Sequence, residues 1–210
     1  MEITAEKIMQ QLSAGTQVAG VIAVFGEEGY YKDKIAAALP RAVFGDAAPE
    51  DREITVFERD TDIKEISAAV NTYPFFSGRS LVIIKDEKLW GGKDGGEKRK
   101  QQQEELAELL ADVPEHCQVL LLGEKIDKRG KLYKSLLKTA AMVECKSLKS
   151  YQLKPWLDEQ AALRGCRFDY EASQTIMEYL SVTDNAPLLL LEQEIEKLSV
   201  YAGERKIWTK

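Results

Sequence analysis

The sequence predicts an α/β fold: a five-stranded parallel sheet with helices on both faces, followed by a small three-helix unit. Two observations carry this. Through the first part of the chain, short continuous apolar runs of the kind that fully buried parallel strands carry alternate with segments of helical periodicity. Beyond residue 146 the strand-like runs stop and only helical periodicity remains. The expected organisation is therefore an α/β domain over 1–146 and a helical domain over 147–210.

Thr4 can cap a first helix whose apolar face holds Ala5, Ile8, Met9 and Leu12, with Gly15 at its end. Val18-Ala19-Gly20-Val21-Ile22-Ala23-Val24-Phe25 reads as the first buried strand, Gly26-Glu27-Glu28-Gly29 as the turn out of it, and 30–39 as a helix stopped by Pro40. Ile54-Thr55-Val56-Phe57 is a second strand. A helix over 62–71 carries Ile63, Ile66, Ala69 and Val70 on one face and opens at Asp62, with Glu65 three residues on in the manner of a capping box. Leu81-Val82-Ile83-Ile84 is the third strand. A glycine-rich loop over 91–96 precedes a helix that begins with Lys98-Arg99-Lys100 and presents Leu106, Leu109, Leu110 and Val113. Gln118-Val119-Leu120-Leu121-Leu122 is the fourth strand. Leu132, Leu136 and Leu137 mark the next helix, and Met142-Val143-Glu144-Cys145 the fifth strand. In the last part, Leu153, Trp156, Leu157 and Leu163 mark one helix, in which Pro155 is tolerable only within the first turn. Ala172, Ile176, Met177 and Leu180 mark a second, and Leu191, Ile195 and Leu198 the inward face of a third over 188–200.

Composition narrows the function classes. An apolar fraction of 44% with 30% charged residues is that of a soluble globular protein, and no apolar run is long enough to span a bilayer. A net charge of −6 argues against non-specific binding to nucleic acid or anionic lipid. Cys117, Cys145 and Cys166 are far apart and odd in number, with neither metal-ligand spacing nor a disulfide framework, which points to the reducing cytoplasm. His116 is the only histidine, so a Ser-His-Asp triad would rest on that residue alone. No catalytic, metal or cofactor-binding residues are assigned.

The strand, glycine turn and helix at 18–39 stand where a phosphate-binding loop would be. That loop requires G-x-x-x-x-G-K-[ST], so that backbone N–H groups wrap a phosphate while a lysine and a hydroxyl meet its charge and the magnesium. The run here is Gly26-Glu27-Glu28-Gly29-Tyr30-Tyr31-Lys32-Asp33. Two carboxylates lie where phosphate would sit, and Asp33 replaces the hydroxyl. Asp86-Glu87 superficially resembles a magnesium-binding pair, but without a phosphate loop it reads as a solvated strand end.

Tyr73-Pro74-Phe75-Phe76-Ser77-Gly78-Arg79 connects the 62–71 helix to the third strand. Pro74 and Gly78 break the chain there, and connections run over surfaces. Two readings are open. Phe75 and Phe76 fold back beneath the helix as core, or at least one is exposed, since two adjacent rings on an irregular segment can hardly point the same way. The basic residues Lys98, Arg99, Lys128 and Arg129 have two readings as well, as phosphate or DNA contacts and as solvated helix ends.

Four motifs in order, Phe25-Gly26-Glu27-Glu28-Gly29-Tyr30-Tyr31, the 73–79 turn, Asp127-Lys128-Arg129 before Lys131-Leu132, and Leu191-Glu192-Gln193-Glu194-Ile195-Glu196-Lys197-Leu198, resemble the delta subunit of the bacterial DNA polymerase III clamp loader. The resemblance implies an AAA+-like sheet domain without a working phosphate loop, a helical lid domain, and a non-catalytic role in DNA replication. In that role the subunit binds the beta sliding clamp and holds its ring open for loading onto DNA. It implies that Phe75 and Phe76 match the apolar pair that plugs a pocket on the clamp, with Tyr73 as the supporting position. It also implies delta-prime and tau/gamma subunits as partners, primed DNA reached through the assembly, and no membrane. A helical collar domain completes the family; the chain ends at Lys210, where that domain is expected to begin. Two alternatives stand beside this reading: a divergent P-loop-like nucleotide-binding enzyme using Lys32 and Asp86, and a nucleic-acid adaptor working through Lys98, Arg99, Lys100, Lys128, Arg129 and Lys131.

Overall fold

The computed structural model describes residues 1–16, 18–58, 61–85, 96–181 and 188–209, without the side chains of Lys98 and Ser181. The expected Asp86-Glu87 strand end and most of the glycine-rich loop lie outside these residues. The chain divides into two compact units, Met1–Lys146 and Ser147–Lys210.

The first unit is built on five parallel strands, Val21–Phe25 (β1), Glu53–Phe57 (β2), Ser80–Ile84 (β3), Cys117–Gly123 (β4) and Ala140–Glu144 (β5), in the order β2-β3-β4-β1-β5. β1 and β3 are buried at every residue, as continuous apolar runs require, whereas β2 at the edge leaves Ile54 and Val56 exposed. The other edge is extended by the N-terminal residues, where Ile3 N–H donates to Met142 O at 2.9 Å and Met142 N–H to Met1 O at 2.9 Å. Helices Ala5–Ser13 (α1), Gly29–Phe44 (α2), Ile63–Asn71 (α3), Gly96–Ala111 (α4) and Lys131–Thr139 (α5) belong to the same unit. Ile66, Val70, Leu106, Leu110, Leu132 and Leu136 pack on one face of the sheet against Val21, Ala23, Val82, Ile84, Val119 and Leu121. Thr4 and Asp62 cap α1 and α3 as expected, the Asp62 carboxylate accepting from Lys64 N–H at 3.0 Å.

Several sequence expectations are corrected. The first strand starts at Val21, not Val18. Pro40 does not stop α2, which continues to Phe44. A mid-helix proline costs about 3 kcal/mol, but Val43 and Phe44 beyond it are buried, and burial of such side chains is worth roughly 1.5–3 kcal/mol each. The helix ends instead at Gly45, whose φ of 58° is the left-handed conformation glycine accepts.

The second unit holds helices Ser150–Leu163 (α6), Tyr170–Ser181 (α7) and Leu188–Ala202 (α8), but it is not helical throughout. Arg167–Phe168 (β6) and Ile207–Trp208 (β7) form a two-stranded parallel sheet, with Phe168 edge-to-face against the buried Trp208 at 5.1 Å. Pro155 lies in the second turn of α6, not the first, held there by burial of Trp156, Leu157 and Ala161 after it. Leu163 and Leu198, expected to face inward, are exposed. The buried stripe of α6 runs Leu153, Trp156, Leu157, Gln160, Ala161, so Leu163 falls off it, and the inward face of α8 passes from Ile195 to the partly buried Ser199 and Ala202.

Among the described glycines, Gly26, just after β1, makes the closest backbone approach. Its φ is 132°, and a Cβ there would lie 2.0 Å from Cys145 O. Gly26→Ala is therefore expected to destabilise the chain by about 3 kcal/mol or more, measured as a shift in the urea midpoint; a change below about 0.5 kcal/mol, as at an ordinary surface site, would contradict this packing.

Candidate functional site

The aromatic turn leaves α3 through Thr72 and enters β3 at Ser80. Pro74 is buried and anchors the segment, while Tyr73, Phe75 and Phe76 are 71%, 87% and 67% exposed. The expectation that two adjacent rings can hardly point the same way is thus corrected: both face solvent. They contact each other edge-to-face, with centroids 5.0 Å apart and planes at 80°, a favourable aromatic geometry that accommodates neighbouring rings on one surface. Tyr73 packs against the His116 ring at 5.1 Å.

The backbone of the turn is held from several directions. Phe75 N–H donates to Glu53 Oε1, and Phe76 N–H donates to the same oxygen at 3.1 Å. Ser77 Oγ donates to Arg79 O at 2.6 Å, and Gly78 takes a φ of 64°. Ser80 N–H donates to His116 O at 2.8 Å, joining the end of the turn to the start of β4. Two adjacent exposed phenylalanines on so constrained a backbone form a raised apolar knob.

The glycine turn after β1 is arranged differently from a phosphate site. The Glu28 carboxylate accepts from Tyr30 N–H at 3.0 Å, so the N-terminus of α2 is capped by the chain's own anion. Lys32 Nζ turns back to donate to Gly26 O at 2.8 Å and Gly123 O at 3.5 Å, tying together the ends of β1 and β4. Tyr30 and Tyr31 are buried, edge-to-face at 5.1 Å. Lys32, the cation a phosphate would need, is thus engaged with two strand-end carbonyls.

The predicted basic contacts are partly paired. Lys128 Nζ donates to both oxygens of Glu144 at 2.8 Å, Lys146 reaches Glu144 at 3.1 Å, Lys131 pairs with Glu104 at 2.6 Å, and Arg129 lies 3.7 Å from Asp127. Arg99 and Lys100 lie in the first turns of α4, Arg99 half-buried and Lys100 exposed. The side chain of Lys98 lies outside the described residues. Phe75 and Phe76 pack together with Tyr73 on the same turn, whereas Lys128 and Arg129 precede α5 and Lys131 is its first residue.

Burial pushes the Cys145 thiol up to about 12 despite nearby Lys32, and raises Cys117 too, so neither is a thiolate near neutral pH. His116 Nε2 is buried without a hydrogen-bond partner among the described residues, so the triad has no second member there. Among the described residues no cluster of three or more His, Cys, Asp or Glu could hold a metal, and no helix is long and apolar enough to cross a membrane.

Residues 25–146, which include the closed glycine turn and the aromatic turn, match the family model described as DNA polymerase III, delta subunit. The chain belongs to this family. The DNA polymerase III subunit delta of Bacillus subtilis (strain 168) is 28% identical over 193 residues, covering 90% of this chain and 54% of that protein. The chain thus spans about half the length of this curated relative. A solved structure, the Bacillus subtilis DNA clamp loader delta protein (YqeN), superposes with a TM-score of 0.76 at 25% identity, covering 98% of this chain and 60% of that one. The fold is accordingly the helix-flanked parallel sheet of that clamp loader delta protein.

Sequence reasoning about this delta-family chain missed Glu53. It stands 22 residues before Phe75 and meets it only because β2 and β3 pair in parallel, with Glu53 opposite Ser80. An acid opening a strand gives no local sign of such a role. The ion pairs of Glu144 were equally invisible. Burial acts to raise the Glu144 carboxyl, but Lys128 and Lys146 outweigh it and hold the group below its ordinary value of about 4.5. Its contribution to stability is therefore fully present above that pH and is lost as pH falls through the lower folded value. In thermal melts, Glu144→Gln should cost less than about 1 kcal/mol near neutrality, as half-exposed pairs do. The Tm gap should close as the pH falls below about 4.5; a gap that stays constant with pH would contradict the pairing.

Proposed function

We propose that this chain is the clamp-binding part of a clamp-loader delta subunit, a non-catalytic protein that seats Phe75 and Phe76 in an apolar pocket of the beta sliding clamp and holds the ring open for loading onto DNA. The observation that carries the proposal is the pair of exposed, mutually packed phenylalanines on a constrained turn within the family-matched residues. Burying a phenylalanine is worth roughly 1.5–3 kcal/mol, and central aromatic anchors are what interface hot spots usually contain. Tyr73, propped on His116, forms the shoulder of the knob. On this reading Met1–Lys146 is the AAA+-like domain without a working phosphate loop and Ser147–Lys210 is the lid. The delta-prime and tau/gamma subunits are the protein partners, primed DNA is reached through the assembly, and the cytoplasm is the location.

Opening the ring on this reading is mechanical. The knob fills a pocket near one interface of the clamp, and the energy of that contact favours the open ring over the closed one only by the difference in affinity for the two. The basic residues Lys98, Arg99, Lys128 and Arg129 would contact DNA only within the assembly. For Lys128 and Arg129 this means exchanging Glu144 and Asp127 for phosphate.

Surface-plasmon binding to a purified bacterial beta clamp tests the proposal. The chain should bind, and the folded Phe75→Ala/Phe76→Ala variant should lose about 2 kcal/mol or more; equal binding by both would move the contact elsewhere. ATP with magnesium should leave the Tm of the chain unchanged, because Glu28 and Lys32 already occupy the relevant donors and charges. Saturable stabilisation approaching about 2.7 kcal/mol at a hundred times the Kd would favour a nucleotide-binding reading instead.

A further inference from the structure

Resting on that reading of the aromatic turn, we propose that Glu53 is its positioning residue, whose carboxylate holds the Phe75 and Phe76 backbone so that both rings are presented together. The clamp-facing residues are Phe75 and Phe76; Glu53 acts through them. Its Oε1 accepts from both consecutive N–H groups, with the Phe76 bond at 3.1 Å. Successive N–H groups converging on one anion form a concavity that a carboxylate fills, and hydrogen bonds to an ionised acceptor are about twice as strong as neutral ones. Without Glu53, two adjacent donors on an exposed turn would turn to water, and no other side-chain acceptor for them is described.

The position of Glu53 suits this role. It is the first residue of β2 and lies opposite Ser80, the first residue of β3, so the parallel ladder delivers its side chain to the connection that ends there. Its backbone is fixed by the sheet, not by the turn. The turn therefore borrows rigidity from an element outside itself, while Pro74, Gly78 and the Ser77–Arg79 bond shape it from within. Ordering a contact segment on binding costs affinity, and a segment already ordered avoids that cost. Glu53 thus raises affinity for an apolar pocket without touching it.

Amide hydrogen exchange and clamp binding on the full 210-residue chain test this together. In the free chain, the Phe75 and Phe76 amides should exchange slowly, and Glu53→Ala should release both. Glu53→Ala should weaken clamp binding about tenfold, with Glu53→Gln intermediate because its amide oxygen still accepts; the Gln variant also serves if the Ala variant does not fold. In a chain already carrying Phe75→Ala and Phe76→Ala, the Glu53 substitution should have no further effect on residual binding. Equal losses in both backgrounds, or unprotected Phe75 and Phe76 amides in the parent chain, would overturn the proposal while leaving the aromatic reading intact. If the phenylalanine substitutions themselves leave binding unchanged, the aromatic reading fails and this inference falls with it.

Discussion

Parallel strands cannot be joined by tight hairpins, so each strand of this sheet must be reached by a crossover that returns the chain to the same end. That constraint decides where everything else can go. It buries the central strands on both faces, which explains why β1 and β3 are apolar at every residue, or nearly so. It also gathers the connections at the two ends of the sheet. The glycine turn follows the end of β1, whereas the aromatic turn precedes the start of β3. The two loops that distinguish this chain therefore lie at opposite ends of the strands.

At one end the chain has filled what an α/β nucleotide site leaves open. Glu28 supplies the anion at the α2 N-terminus and Lys32 supplies its charge to two strand-end carbonyls. At the other end, Glu53 of β2 and His116, just before β4, converge on a turn whose two phenylalanine rings face solvent. Glu53 and His116 come from sequence positions far from residues 73–79, yet parallel pairing brings the strands beside them into register. An exposed apolar knob is costly on an isolated protein; one braced from several elements is suited to insertion into a partner.

The elements of the sheet were legible because burial on both faces writes itself as continuous apolar runs such as Leu81-Val82-Ile83-Ile84. What local sequence could not show is how distant groups compensate local rules. Pro40 is overruled by the burial of Val43 and Phe44 beyond it, and Pro155 by Trp156 and Leu157. The two-residue strands at Arg167 and Ile207 are too short to leave a periodic signal. At the candidate site, Pro74 and Gly78 announced an irregular connection. Both rings face outward in edge-to-face contact, and the Glu53 carboxylate that accepts from their N–H groups arrives from β2, leaving no sign within the turn itself.

The central claim is that Phe75 and Phe76 enter a pocket of the clamp, and site-specific photocrosslinking tests it most directly. Benzoyl-phenylalanine placed at position 75 or 76 should crosslink the chain to a purified beta clamp at a single apolar pocket, while the same probe at the equally exposed Tyr170 of the second unit should not. Crosslinks from position 170 with none from 75 or 76 would contradict the account.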